Sequence, residues 1–319
     1  MKCKCCAFED NFKIFEIREM FLGFREIFNY QWCSNCGCMQ LIDIPINLAK
    51  YYPSDKYYSF DNSLNNRKIK TDILRKTKAS YILYGRNSLV GSLLSIGYKV
   101  PSFFEWLKRG KVKFDDSILD VGSGNGGLLA SLYKNGFTNL TGIDPYISKD
   151  IEYGGFNIYK KDIFSLKGRF DFIMLNHVFE HIDNPGDMLI KLYELLNPGK
   201  FLLIRTPLMD NYIWKSYGTN WIGLDAPRHL IIHSMKSMKL LALEAGFLIE
   251  EIIFDGGVNN IIGSEQYKRD IALTDSNSRF VNKNSTLFSK QEIESFQILT
   301  EKANEQQVGD QAAFYLYKA

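Results

Sequence analysis

The segment Ser117-Ile-Leu-Asp-Val-Gly-Ser-Gly-Asn-Gly-Gly127 constrains this chain more than any other part of it. An apolar run ends in Asp120 and passes at once into Gly122-x-Gly124-x-Gly126, after which Leu128 to Asn135 has helical spacing. A strand that turns this sharply into a helix needs residues without a Cβ. The same bareness lets backbone N–H groups approach a ligand at the helix N-terminus. The segment therefore predicts the opening strand, loop and helix of an α/β core, with a nucleotide-like cofactor against the loop. Glycine spacing alone does not choose the cofactor, because dehydrogenases use G-x-G-x-x-G for the same conformational reasons.

The residues that follow narrow the choice. Leu140 to Ile143 reads as a second strand ending at Asp144 and Pro145. An acid about twenty positions beyond such a loop is placed to accept ribose hydroxyls. Asp162, after the next strand, is expected to pair with an adenine amino group while Ile163 covers the ring. A strand at Phe170 to Leu175, a helix from Pro185 to Leu196, a turn at Asn197-Pro-Gly199 and a strand at Lys200 to Arg205 continue the alternation. Ser234 reads as the N-cap of a helix that stops at Gly246, ahead of a strand at Leu248 to Phe254. The tail holds a helical stretch around Lys290 to Asn304 and an apolar run from Ala312 to Tyr317. Short apolar strands alternating with helices predict βαβ units, hence a largely parallel Rossmann-like sheet with helices on both faces.

Ile118-Leu-Asp-Val-Gly-Ser-Gly-Asn-Gly126, Thr141-Gly-Ile-Asp144, Lys161-Asp-Ile163 and Phe170-Asp-Phe-Ile-Met-Leu-Asn-His-Val-Phe-Glu-His-Ile182 together resemble the class I S-adenosylmethionine-dependent methyltransferases. The resemblance implies that Asp120 and the loop residues Gly122, Ser123, Gly124 and Gly126 hold the amino-acid portion of the cofactor. It implies ribose contact at Asp144 and Pro145, adenine contact at Asp162 and Ile163, and closure over the sulfonium side by Asn176 and His177.

The only histidines are His177, His181, His229 and His233, two pairs spaced i, i+4. His177-Val-Phe-Glu-His181 matches the zinc-peptidase pattern H-x-x-E-H. A peptidase would need a further ligand in a different fold, so the segment reads as the cofactor edge of the sheet. His229 lies in Asn220-Trp-Ile-Gly-Leu-Asp-Ala-Pro-Arg-His-Leu230, within a long connection over residues 206–233. Ligands of open α/β sheets bind beyond the carboxyl ends of the strands, so this insertion is expected to form the acceptor pocket. There His229 would take a proton from an acceptor hydroxyl, with His181 as the second candidate base. Arg228 would hold an anionic group, unless it and His229 simply tie loop backbone. His233 reads as structural.

All six cysteines precede residue 39, at positions 3, 5, 6, 33, 36 and 38. Cys3-x-x-Cys6 and Cys33-x-x-Cys36 are two knuckles with the spacing of a structural zinc site, bridged by a hairpin of two β-like runs, Phe12 to Ile17 and Arg25 to Trp32, that turns near Gly23. Cys5 and Cys38 are each able to replace a neighbour. The chain thus divides into a zinc-ribbon module over 1–40, a linker and helical cap over 41–110, a cofactor-binding core over 111–255, and a C-terminal extension over 256–319 that completes the sheet and the acceptor pocket.

A zinc ribbon, Tyr51-Tyr-Pro53 with Tyr57-Tyr58, the core, Pro227-Arg-His-Leu230, Gly263-Ser-Glu-Gln-Tyr-Lys-Arg-Asp270 and Gly309-Asp-Gln-Ala-Ala313 resemble methyltransferases of bacterial surface-polysaccharide and sugar-modifying pathways. Related sugar C-methyltransferases carry a further C-terminal domain, which favours O-methylation here. The formal charge of +3, from 39 basic and 36 acidic residues without blocks, argues against nucleic acid as partner. No signal peptide or membrane span is evident, so a cytoplasmic enzyme is expected. The expected reaction is O-methylation of a sugar nucleotide or lipid-linked glycan precursor. Alternatives are a sugar C-methyltransferase, an rRNA methyltransferase with a zinc-ribbon reader, and an inactive scaffold that still binds S-adenosylmethionine.

Overall fold

The computed structural model describes residues 2–10, 12–53, 69–86 and 88–319, so Tyr57 and Tyr58 lie outside the described residues. The chain opens on an antiparallel hairpin, β1 (Phe12–Arg18) and β2 (Ile27–Cys33), to which β3 (Met39–Leu41) adds. Helices α1 (Ile73–Tyr84), α2 (Ser88–Ser95) and α3 (Phe103–Arg109) lead into the core. There β4 (Ile118–Val121), α4 (Gly127–Lys134), β5 (Leu140–Ile143), β6 (Ile151–Glu152) and β7 (Asn157–Tyr159) form the first half. The second half holds β8 (Phe170–Asn176), α5 (Pro185–Leu195) and β9 (Leu196–Pro207). After an insertion containing α6 (Tyr212–Tyr217) and β10 (Ile231–Ile232) come α7 (Met235–Glu244), β11 (Leu248–Phe254), α8 (Val258–Lys268), α9 (Lys290–Glu305) and β12 (Gln311–Lys318).

The main sheet runs β11-β12-β9-β8-β4-β5-β7-β6. Strands β9, β8, β4, β5 and β7 are mutually parallel, and β12 is antiparallel to both of its neighbours. Successive side chains of a strand point to opposite faces, which sorts the core into two layers. Leu119, Val121, Ile173 and Leu175 pack with Leu189 and Leu192 of α5 and Met238 of α7. Ile118, Phe172 and Met174 pack on the other face with Phe104 and Leu107 of α3 and Leu129 and Leu132 of α4. The chain leaves β4 toward β5 and β7, then returns to lay β8 on the opposite side of β4. That reversal opens a crevice at the carboxyl ends of β4 and β8, where such sheets bind ligands.

Three expectations are corrected here. The helical segment does not stand off the core as a cap. Ala79 and Leu83 of α1 join the cluster around Phe172 and Phe137, because the apolar side of that helix finds its burial on a face of the sheet. The N-terminal module is not a separate body either. Gln40 and Met39 of β3 pair with Ile231 and Ile232 of β10, so hairpin and insertion share a four-stranded sheet, β1-β2-β3-β10, and one apolar cluster. Finally, Asn197-Pro-Gly199 does not precede its strand but sits within β9. The pairing jumps from Phe170↔Leu196 to Phe172↔Phe201, so the turn residues bulge out, with Gly199 at φ +74°.

The capping signals around the insertion behave as local chemistry requires. Ser234 accepts from the Ser237 N–H at 2.9 Å in a reciprocal capping box, and Gly246 ends α7 at φ +88°.

Candidate active site

Six of the expected cofactor contacts, Gly122, Asp144, Pro145, Asp162, Ile163 and His177, line one cleft just beyond the carboxyl ends of the core strands. Gly122 follows β4, Asp144 and Pro145 follow β5, Asp162 and Ile163 follow β7, and His177 follows β8. Tyr52, from the linker that follows the N-terminal module, closes one side and stacks parallel to Tyr146 at 6.1 Å. Gly122 sits at φ +72°, and a Cβ there would stand 2.4 Å from Val178 Cγ2. Gly126, at φ +77°, would meet Ile158 Cδ1 at 2.3 Å. Both positions exclude a side chain on conformation and on space.

Asp144 is clamped by backbone, its oxygens accepting from the Gly124 N–H at 3.0 Å and the Tyr146 N–H at 2.8 Å. This orients the carboxylate at the cleft. Asp120 lies deeper, 4% exposed. Burial, aided by the charge of Asp144, pushes its carboxyl up to about 8. No lysine, arginine or histidine forms an ion pair with Asp120 among the described residues. A buried acid in that position suits a ligand that brings its own positive charge, as an ammonium or a sulfonium does.

This carboxyl also makes a stability prediction. Its folded-state value lies above the ordinary 3.8, so the folded state holds the proton more tightly than the unfolded chain between about pH 4 and pH 8. The stabilisation is complete below that window and is lost as pH rises through it. Denaturant titrations of the ligand-free protein should therefore show wild-type stability falling with pH relative to Asp120→Asn, with the difference levelling off above pH 8. Parallel pH profiles for the two proteins would contradict it.

Three residues of the expected set take other positions. Ser123 turns its buried hydroxyl toward Gly142, where an added Cβ would stand 2.5 Å from it, and not into the cleft. Asp162 lines the cleft but commits Oδ1 to the Phe164 N–H at 2.8 Å, capping the short turn Ile163–Ser165. Asn176 is still a sheet residue paired with Arg205, whose guanidinium donates to its Oδ1, and it does not line the cleft. Of the two, only His177 lines the cleft, in the left-handed region at φ +56°, with its N–H donating to Arg205 O at 3.0 Å.

His177 and His181 also line a second cleft, together with Phe21, Asp225, Arg228, His229, Asn260 and Asp310. The two clefts thus share a wall. Behind it lies Glu180, with no exposed surface, its Oε1 3.3 Å from His177 Nδ1 and 3.9 Å from His229 Nε2. Its Oε2 accepts from Thr206 Oγ1 at 3.0 Å. Burial by itself would raise this carboxyl, but the hydrogen bond from His177 and the electrostatic influence of the neighbouring His177, His229 and His181 imidazoles outweigh it and hold the group low. His229 Nδ1 lies 2.8 Å from Gly223 O, and His181 Nδ1 lies 2.8 Å from Arg228 O and 3.1 Å from Tyr52 Oη. A carbonyl accepts only from a protonated nitrogen, so each neutral ring carries its proton on Nδ1 and its lone pair on Nε2. Burial, and then the charge of His229, push His181 down to about 4, which keeps it neutral at neutral pH. Glu180, His181 and His229 each offer a ligand atom within 4.8 Å of the others, a spacing that also suits a divalent cation.

Arg228 takes the second of its two expected roles, tying the loop. At 2% exposure its guanidinium is paired with Asp225, Nε donating to Oδ2 at 2.9 Å and Nη2 to Oδ1. Nη1 donates to Tyr51 O at 3.3 Å, and the group lies 3.8 Å from the Phe21 ring centre. A guanidinium this deep needs a counter-charge from the protein, so Arg228 ties the loop and does not hold an anionic acceptor group. Asp225→Asn, which removes the bidentate carboxylate from this buried guanidinium, is expected to cost about 3–5 kcal/mol in urea unfolding. A loss within 1 kcal/mol would mean that Arg228 finds other compensation. His233, fully buried, stacks on Phe179 with ring centres 4.6 Å apart.

In the N-terminal module, two tight turns present the cysteines. Ala7 N donates to Cys3 O at 2.9 Å and Gly37 N to Cys33 O at 2.8 Å, with Ala7 and Gly37 at positive φ. One sulfur from each of Cys3, Cys6, Cys33 and Cys36 falls within 4.8 Å of the others. A second overlapping group joins Cys3, Cys5 and Cys38.

Reading the sequence missed Tyr52 as a cleft residue, and Glu180 and Asp225 as the acids of the acceptor wall. An acid directly after two apolar residues, as in Val178-Phe-Glu180, is the signal that was available for Glu180.

Comparison with known proteins agrees with this geometry. A model of the methyltransferase domain matches residues 93–252, half of the chain. The human EEF1A lysine methyltransferase 2 is 42% identical over 62 residues, 19% of this chain. That stretch is 26% of the relative, so the match spans about a quarter of its length. Among solved structures, a geranyl diphosphate methyltransferase in complex with S-adenosylmethionine aligns at TM-score 0.47 and 12% identity, covering 79% of this chain and 98% of that one. An S-adenosylmethionine-dependent methyltransferase from Archaeoglobus fulgidus aligns at TM-score 0.41 and 20% identity, covering 68% and 100%. The domain match takes in the glycine loop, the two acids beyond it and the shared histidine wall, and on that ground the chain belongs to the methyltransferase domain family.

Proposed function

We propose that this methyltransferase acts on a hydroxyl of a sugar nucleotide or other glycan-precursor acceptor bound in the cleft between Phe21 and Asp310. The observation that carries this reading is the position of His229, its Nδ1 turned to Gly223 O at 2.8 Å and its Nε2 held 3.9 Å from the buried Glu180 carboxylate beside the wall shared by the two clefts. When bound, S-adenosylmethionine supplies a methyl group on a sulfonium, an electrophile that needs no acid catalyst. Alignment then provides most of the rate, and Asp120, Asp144 and the glycine loop supply one side of it. A hydroxyl, unlike a neutral amine, must also lose its proton. His229 Nε2 receives it, and the imidazolium so formed is stabilised by Glu180 and by Asp225 Oδ2 at 3.7 Å. His181 is the second candidate for the same step. Asn260, Gln311 and Asp310 give the cleft the polar groups a polyol acceptor would need.

The human relative's name specifies a protein lysine as acceptor. The discriminating experiment incubates the protein and methyl-labelled S-adenosylmethionine with fractionated cell extract. Label in the sugar-nucleotide or lipid-linked saccharide fraction is expected. Label confined to protein would favour the lysine reading, and label confined to RNA would overturn both.

The Cys3, Cys6, Cys33 and Cys36 group is read as a structural zinc site. Two of its ligands precede β1 and two end the β2 turn, so an ion there would tie the hairpin that carries β3 and, through it, β10.

A further inference from the structure

We propose that the N-terminal cysteines hold two zinc ions and not one, the second bound by Cys5 and Cys38 together with Cys3 and Cys36 as thiolates shared with the first. The inference rests on the single-zinc reading above and extends it.

Geometry carries it. Four sulfurs about 2.3 Å from one zinc stand about 3.8 Å apart along each tetrahedral edge. Cys6 and Cys33 are 3.7 Å apart and Cys3 and Cys36 3.6 Å, which are two edges of the first site. Cys38 lies 3.5 Å from Cys3 and 3.4 Å from Cys36, so it caps the Cys3–Cys36 edge from the far side. Cys5 joins Cys3 and Cys38 in the second group within 4.8 Å. Each ion then has two thiolates of its own, Cys6 and Cys33 for one and Cys5 and Cys38 for the other, and two that it shares.

Charge favours the arrangement as well. With one ion, Cys5 and Cys38 remain protonated thiols among thiolates in a buried cluster. A second Zn²⁺ displaces those two protons, which leave to solvent, so two S–H bonds are lost and four Zn–S bonds form, two to Cys5 and Cys38 and two to the shared Cys3 and Cys36 thiolates, with no change in net charge. Nearby polar groups are arranged as outer donors. Asn35 Nδ2 lies 3.4 Å from Cys6 Sγ, and His233 Nδ1 lies 3.8 Å from Cys5 Sγ. His233 belongs to the acceptor insertion, so the second ion would tie the ribbon to the segment that carries His229.

Zinc content decides the matter. The full chain is purified under reducing conditions with zinc, dialysed free of loose ion, and analysed by native mass spectrometry and elemental analysis. Two zinc ions per chain are expected, falling to one in Cys5→Ser and in Cys38→Ser, both still binding S-adenosylhomocysteine. One ion in the wild type, unchanged in both variants, would overturn the second site and leave the first. An absence of zinc in the wild type would overturn both readings. The wild-type mass alone distinguishes these results if a variant fails to fold.

Discussion

Replacing His229 with asparagine is expected to lower kcat by about 10²–10⁴-fold, the range that a positioned general base contributes. Affinity for S-adenosylhomocysteine should stay within about twofold, because His229 lines the acceptor cleft and not the cofactor cleft. Asparagine keeps a donor for Gly223 O, the partner of His229 Nδ1, and so removes the basic Nε2 with little disturbance of the loop. The split between kcat and cofactor affinity is the informative part. A structural defect in the insertion would weaken acceptor binding and stability together. An unchanged kcat in single-turnover measurements would remove His229 from the chemistry and leave His181 as the base.

The second large effect lies in the glycine loop. Gly122→Ala places a side chain at φ +72° and a Cβ 2.4 Å from Val178 Cγ2. The conformational term alone is worth about 1–3 kcal/mol, roughly 5- to 150-fold in affinity if the loop must readjust to hold the cofactor. Gly127→Ala is the matched control, since nothing stands within 4 Å of a Cβ there and its φ is not positive. Calorimetric titration with S-adenosylhomocysteine should show a loss in the first variant and none in the second. Equal affinities would mean that the loop tolerates a side chain and that its glycines serve only to form the turn.

The core was legible because its signals are local. Strands β5 and β11 fall at Leu140–Ile143 and Leu248–Phe254 as the apolar runs predict, and the capping serine Ser234 and terminating Gly246 sit where their chemistry requires. The glycine loop and the acids after it declare themselves by spacing along the chain. What stayed hidden depends on contacts between distant segments. Nothing near Gln40 announces its pairing with Ile231, which welds the N-terminal module to the acceptor insertion. Glu180 becomes the centre of a cluster only when the 206–233 connection brings His229 back to β8. Arg228 was the opposite case. Its charge suggested a ligand contact, but Asp225, three residues away, takes it up within the same loop.

The cofactor cleft depends on strand ends and one loop, whereas the acceptor cleft depends on the ribbon, the insertion and the tail meeting correctly. Loss of zinc should therefore damage acceptor use before it damages cofactor binding.

The most direct measurement is isothermal titration of the purified wild-type chain with S-adenosylhomocysteine, alongside Asp144→Ala and Gly122→Ala. Saturable binding at one site per chain, weakened in both variants, is the predicted result. No binding to the wild type, or binding indifferent to both substitutions, would contradict the assignment of this cleft to the methyl donor.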